Sequence, residues 1–256
     1  MKIVSDVIFD DIVIILGSDY QMVNTDARMD GIVSDWNKNI GKMLSAAMDK
    51  IAEAGIKSLI TKVAKRVKKS AYREWGLIIE KTFGEKLDAT HYDDDFYKSV
   101  LEKWVKHNEK LMDEFIQNVL DDVKKCVVDM LGKKESPANI AKSIKEILDK
   151  ATKHAMQMSK DQVAALNSEI EKLHCEDSGS DSYIWITKKD DRVRECHRTL
   201  HGKIFSWNDP PEMWHVSAMG EIVMDGRKCH PGQDYRCRCI ALPIFNTDKT
   251  NLHTIS

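Results

Sequence analysis

Apolar residues recur three and four positions apart through most of the first 173 residues, and then the pattern changes. Ile56, Leu59, Ile60, Val63, Ala64, Val67 and Ala71 follow the i, i+3, i+4, i+7 rule. This spacing predicts one helix over residues 36–80, with Gly55 as a point where it can bend. Gly84 and the run Asp93, Asp94, Asp95 predict breaks. A longer stripe follows: Val100, Leu101, Trp104, Val105, Leu111, Met112, Phe115, Ile116, Val119, Leu120, Val123 and Val127. It predicts a second helix that stops at Gly132. Ser136 before Pro137 reads as an N-cap with proline in the first helical position. Ile140, Ile144, Ile147, Leu148 and Ala151 then share a face, and after a predicted break near Ser159 so do Val163, Leu166, Ile170 and Leu173. Such stripes are the faces helices bury against one another.

The period shortens beyond a polar stretch at residues 176–182 (EDSGSDS). Residues 183–187 alternate aromatic and β-branched side chains and predict a strand. A second strand is predicted at residues 204–207, entered through Gly202 and ended by Pro210 and Pro211. A third apolar run falls at residues 240–245, where Pro243 restricts it to a sheet edge or an exit segment. The expected class is α+β: a long-helix region over residues 1–175, a small β-rich domain over residues 183–245, and a polar tail over residues 246–256.

Hydrophobic content of 42% is enough to build a core despite 31% charged residues. Asp6, Asp10 and Asp11 interrupt the one apolar run near the N-terminus, so it reads as neither a secretory signal nor a membrane span. A cytosolic chain keeps its six cysteines reduced, which argues against a disulfide framework. With 39 basic and 41 acidic residues there is no global excess to attract nucleic acid. One local patch stands out. Residues 57–73 carry Lys57, Lys62, Lys65, Arg66, Lys68, Lys69 and Arg73 with no acid among them. Such a face suits a solvated helix, a run of phosphates or an acidic protein partner.

Candidate chemistry is concentrated near the C-terminus. Cys196, His197, His201, Cys229, His230, Cys237 and Cys239 fall within 44 residues. Thiolates and imidazoles are zinc ligands, and a structural site takes four. In an extended segment Cys237 and Cys239 point the same way, while a bridge between residues two apart is strained. The set His197, His230, Cys237 and Cys239 is the first candidate, with Cys196, His201 or Cys229 as alternatives. The spacing matches no standard zinc finger, and a reduced, packed thiol cluster fits the same residues. Cys196 beside His197 invites a nucleophilic reading, but adjacency in sequence is not catalytic geometry. No phosphate-binding glycine loop is present. No enzymatic activity is expected.

Four ordered motifs carry a resemblance: Tyr-x-Trp-x-Thr from Tyr183, Asp-x-Arg-Val-Arg-x-x-His from Asp190, Leu-x-Gly-Lys-x-Phe-x-Trp from Leu200, and His-Pro-Gly-x-Asp-Tyr-x-Cys-Arg-Cys from His230. With the helical segments around Asn108 to Met112 and residues 155–167, the chain resembles the phage Mu F-like head-morphogenesis family over roughly residues 96–245. The positions that match the family pattern are Trp185, Asp191, Arg192, Arg194, His197, Gly202, Pro231, Cys237, Arg238 and Cys239. Cys196, His201 and Cys229 lie outside it. The resemblance implies a minor capsid protein in the virion head or procapsid, made in the host cytoplasm. It implies portal, capsid or scaffolding partners, with phage DNA as a secondary one. Asp191, Arg192 and Arg194 are expected to form charge-assisted pairs that stiffen the small domain, with Arg238 closing the network or facing a partner. The alternative reading is a zinc-stabilised DNA-binding protein of the delivery apparatus.

Overall fold

The computed structural model describes residues 55–246 and 252–255. The part of the first predicted helix before Gly55 lies outside them. The described chain is α+β, with three long helices followed by short strands. Helix α1 spans Ile56–Phe83, strand β1 Lys86–Leu87, helix α2 Asp94–Gly132 and helix α3 Pro137–Asp177. Strand β2 (Ser182–Ile186), helix α4 (Glu195–Leu200) and strands β3 (Ile204–Ser206), β4 (Glu212–Val216), β5 (Ile222–Lys228), β6 (Ile240–Ile244) and β7 (Thr254–Ile255) complete the order.

The predicted breaks have identifiable chemistry. Gly84 takes φ +78° directly after α1, a left-handed conformation that costs glycine little. The Asp93 carboxylate accepts from the backbone N–H groups of Asp95 (2.9 Å) and Phe96 (3.1 Å) and caps α2. The Ser136 hydroxyl accepts from the Asn139 N–H at 3.3 Å, capping α3 as expected. Helix α2 does end at Gly132, but the left-handed residue after it is Lys134, with φ 58°. The break predicted near Ser159 is absent: α3 runs unbroken for 41 residues. The polar stretch there contains neither glycine nor proline, so nothing interrupts the backbone ladder.

The chain divides into two compact units. One holds residues 107–157 together with the described residues 55–60. Ile116, Val119, Leu120, Val123 and Val127 of α2 pack there against Ile140, Ile144 and Leu148 of α3, forming a helical hairpin with a core of its own. The other unit takes residues 61–106 and the described residues from 158 onward. Its core joins Ala64, Val67, Ala71, Trp75 and Ile79 of α1, Leu166 and Ile170 of α3, and the inward side chains of the strands.

In this second unit β2 is the centre of a three-stranded antiparallel sheet ordered β3-β2-β6. Tyr183 and Trp185 point inward and are fully buried, as the alternation of β2 requires. Pro243 pairs with Tyr183 on an edge strand, where its missing N–H faces away from the ladder. Strands β4 and β5 form an antiparallel hairpin that the sequence pattern did not predict. Residues 178–182 are well anchored: the Ser180 hydroxyl, itself buried, donates to the Ile244 carbonyl at 2.8 Å, with the Ser182 carbonyl also within reach at 3.1 Å. Residues 254 and 255, expected in a polar tail, pair with β1, and His253 stacks on His91 at 3.5 Å. Among the described residues, no helix is long and apolar enough to cross a membrane.

Candidate functional site

Helix α4 begins after a turn in which the Asp190 carboxylate accepts from the Arg192 N–H at 3.1 Å. His197, the third residue of α4, is buried. Gly202, at φ +79°, then reverses the chain and donates its N–H to the Trp185 carbonyl at 2.8 Å. Residues 229–239 fold back over α4. Gly232 lies at φ +89°, and a Cβ there would press on the Ala164 carbonyl oxygen at 3.4 Å, so the loop needs glycine. The loop is fastened to α3 by the Arg236 N–H on the Asp161 carboxylate (2.8 Å) and by Gln233 on Glu169.

This fold-back brings His197, Cys237 and Cys239 together, with their ligand atoms all within 4.8 Å of one another. The His197 Nδ1 lies 3.6 Å from each sulfur. Its Nε2 lies 3.1 Å from Asp234 Oδ2. Asp234 is buried and serves as a hub. Its carboxylate accepts from Arg194, from Arg227 Nη1 at 2.8 Å and from the Tyr235 N–H at 2.9 Å. Arg194 also donates to the Tyr235 carbonyl. The Cys237 sulfur accepts from the backbone N–H groups of Gly232 (3.3 Å) and Cys239 (3.4 Å).

Electrostatics follow from these contacts. Burial disfavours the Asp234 charge, but the His197 and Arg227 hydrogen bonds and the Arg194 charge outweigh it and hold the carboxyl well below its usual range. Burial likewise disfavours a charged His197. Its bonds to Asp234 and Cys237 prevail and lift the imidazole to about 9. The Cys237 thiol is pulled down, chiefly by hydrogen bonding from Cys239, and the Cys239 thiol is pushed up by the same pairing and by burial. In the metal-free protein these contacts favour the charged forms of Cys237, His197 and Asp234.

Several predicted site residues fall elsewhere. His230 is not in the cluster: its Nδ1 meets the Tyr183 hydroxyl at 3.1 Å, and burial lowers its pKa to about 4. The His201 Nδ1 accepts from the Thr187 N–H at 3.0 Å. Cys196 and Cys229 pack as core hydrophobes with thiols raised by burial. Asp191 and Arg192 are exposed. The ion pair expected of that turn is made one residue earlier, where Arg238 Nη1 donates to Asp190 Oδ2 at 2.6 Å. Trp185 meets the His197 ring edge to face at 5.4 Å, and Pro231 is buried. Asp234, Asp190 and Arg227 were missed as site residues. Asp234 and Asp190 lie inside two of the ordered motifs, but His197 and Arg238, which they meet, are 37 and 48 residues away in sequence.

On the basic face, Lys62, Lys65, Arg66, Lys69 and Arg73 are exposed. Lys57 pairs with Glu109 at 3.3 Å, and Lys68 pairs with Asp94 and sits over the Tyr97 ring at 5.5 Å.

Residues 121–242 match the family model described as phage Mu protein F like protein. That segment belongs to the phage Mu protein F like family. The Mu F-like match begins within α2, ends within β6 and covers α3, β2, β3 and the whole His197–Cys237–Cys239 cluster. Two curated relatives are uncharacterized proteins. One, from Haemophilus influenzae, is 28% identical over 142 residues, covering 56% of this chain and 29% of its own length. The other, from Methanocaldococcus jannaschii, is 22% identical over 216 residues, covering 77% of this chain and 32% of its own length. The chain thus spans about a third of the length of the curated relatives it matches. No solved structure matches the chain.

Proposed function

We propose that this protein is a minor capsid, head-morphogenesis component of a tailed phage that acts structurally, through protein contacts, in procapsid and portal assembly. The Mu F-like match over residues 121–242 carries this reading. The protein is then a virion or procapsid component made in the host cytoplasm, with portal, capsid or scaffolding proteins as partners and no catalytic step of its own.

The sheet supplies a surface suited to such contacts. Its inner face holds Tyr183 and Trp185, yet its outer face is also apolar. Ile204, Ile184 and Leu242 are cross-strand neighbours, and Ile240 pairs with Ile186. Ile204, Ile240 and Leu242 are 63%, 57% and 49% exposed. A sheet apolar on both faces has one face left for a partner. The test is co-purification with a portal ring at high salt, comparing wild type with Ile204→Asp/Leu242→Asp. Retention by wild type alone, with both proteins equally stable, supports the reading. Equal retention, or none with portal, capsid or scaffolding protein, overturns it.

One observation favours a secondary contact with DNA. Lys62, Lys65, Arg66, Lys69 and Arg73 recur at helical spacing, so at 3.6 residues per turn they share an arc of about 100° along α1. A row of exposed cations neutralises phosphates and makes binding fall steeply with salt. Reversing Lys62, Arg66 and Arg73 to glutamate should abolish salt-dependent DNA retention. Retention that survives the reversal excludes this face.

A further inference from the structure

We infer that His197, Cys237 and Cys239 bind a divalent zinc ion, with Asp234 orienting the histidine from outside the coordination sphere. The argument rests on geometry. Zinc holds thiolate at about 2.3 Å and imidazole at about 2.0–2.1 Å, so a tetrahedral angle separates ligand nitrogen and sulfur by about 3.6 Å. Both sulfurs stand 3.6 Å from the one Nδ1. A single ring nitrogen has one lone pair or one proton and can satisfy one sulfur well. Two sulfurs equidistant from it are what a shared cation produces.

The surroundings fit a metal thiolate centre. A histidine ligand commonly donates its other N–H to a carboxylate, which fixes the tautomer that leaves the ligating nitrogen unprotonated. Here Nε2 faces Asp234 at 3.1 Å and Nδ1 faces the sulfurs. Arg194 and Arg227 hold that carboxylate in turn. The backbone N–H groups of Gly232 and Cys239 donate to the Cys237 sulfur, spreading its negative charge. Two thiolates and a neutral imidazole leave the zinc site uncharged overall, which suits a buried position. Among the described residues, no fourth histidine, cysteine, aspartate or glutamate joins the group. The fourth position falls to water or to a donor from a partner.

Such an ion would tie α4 to the segment leading into β6, across 40 residues of chain. Metal binding would then be part of folding. The other cysteines of the region belong to the core, which makes them controls.

The experiment uses the full-length protein, stripped with chelator and titrated with Co²⁺ and then Zn²⁺. Expected are tetrahedral cobalt d–d bands with thiolate charge transfer, bleached by one equivalent of zinc, and a melting temperature that rises with bound metal. Cys239→Ser should weaken zinc binding at least tenfold. Asp234→Asn should weaken it about 10–100-fold, as expected for the partner of a ligating histidine. Cys196→Ser and Cys229→Ser should keep the cobalt spectrum. The inference fails if folded wild-type protein shows no cobalt–thiolate bands. It also fails if zinc leaves Cys237 alkylation by iodoacetamide unslowed, which would mark a free nucleophilic thiolate. Loss of the spectrum in Cys196→Ser or Cys229→Ser, with folding intact, would assign the site to other thiols.

Discussion

Replacing Asp234 with alanine should lower the stability of the unit that contains it by about 3 kcal/mol. The carboxylate takes four donors: Arg194, His197, Arg227 and the Tyr235 N–H. Hydrogen bonds to charged groups are each worth about 1.5–3 kcal/mol when one partner is left buried and unpaired. The two guanidiniums need discounting, since Arg194 is 42% and Arg227 45% exposed and water replaces much of what they lose. The cost therefore falls on His197, whose side chain is 4% exposed, and on the Tyr235 N–H. For a unit of this size about 3 kcal/mol lowers the melting temperature by roughly 6–12 °C. The measurement is thermal denaturation by circular dichroism, in chelator so that bound metal plays no part. The pH profile sharpens it. Because the native carboxyl is held below its ordinary range, its contribution is present above the unfolded value of 3.8 and is lost as pH falls further. His197, raised to about 9, has the opposite sign: its charge-dependent share is whole below 6.5 and is lost as pH rises through 9. The gap between wild type and Asp234→Ala should thus be widest at pH 5–7 and narrow at both extremes. A shift under about 2 °C at neutral pH, or a gap flat from pH 3 to 10, would refute the hub.

Two further titrations test the core of the same unit. Burial and the nearby Glu74 charge push the Glu171 carboxyl up to about 8, so stability drains away as pH rises from 4.5 toward 8. Glu171→Gln should gain on wild type across that window, by roughly 3 kcal/mol at pH 7 at most, in urea melts; a pH-independent difference would contradict this. His174 stacks on Trp75 at 5.2 Å, meets the Tyr97 hydroxyl at 2.8 Å, and is lowered by burial to about 3. Its neutral form is favoured, so stability falls as pH drops below 6.5, and His174→Phe should gain on wild type by about 1.4 kcal/mol per pH unit between pH 6 and 4. Parallel urea midpoints for the two proteins over that range would count against it.

The parts of this fold legible in sequence are those with local causes. The stripes of α1, α2 and α3 are read from spacing, and Tyr183 and Trp185 from alternation, because burial imposes those periods. The pairing of Cys237 and Cys239 toward one partner follows from their separation by two. What was not legible depends on distant residues. Nothing near Asp234 announces that His197 lies 37 positions away. Nothing in Thr254 and Ile255 announces β1. The β4–β5 hairpin escaped because Val216, Ile222, Val223 and Met224 are exposed, so its strands lack the inside-outside alternation that marks a half-buried strand. The break predicted near Ser159 fails because the stretch has neither the glycine nor the proline that would interrupt the ladder.

The unit that holds the His197 cluster is written in two instalments, residues 61–106 and residues from 158 onward. A single cut in the gene cannot lift it out. A fragment beginning near residue 158 would leave behind Ala64, Val67, Ala71, Trp75 and Tyr97, which belong to the same buried core as Tyr183 and Trp185. The stretch in between, residues 107–157, supplies every fully buried residue of the other core, with Ile56 packed against it, so in topological terms it is a cassette. Matched heptads removed from its two antiparallel arms would shorten it while preserving the register of both helices. The cassette is thus a place where the chain can change length without rewriting its chemistry.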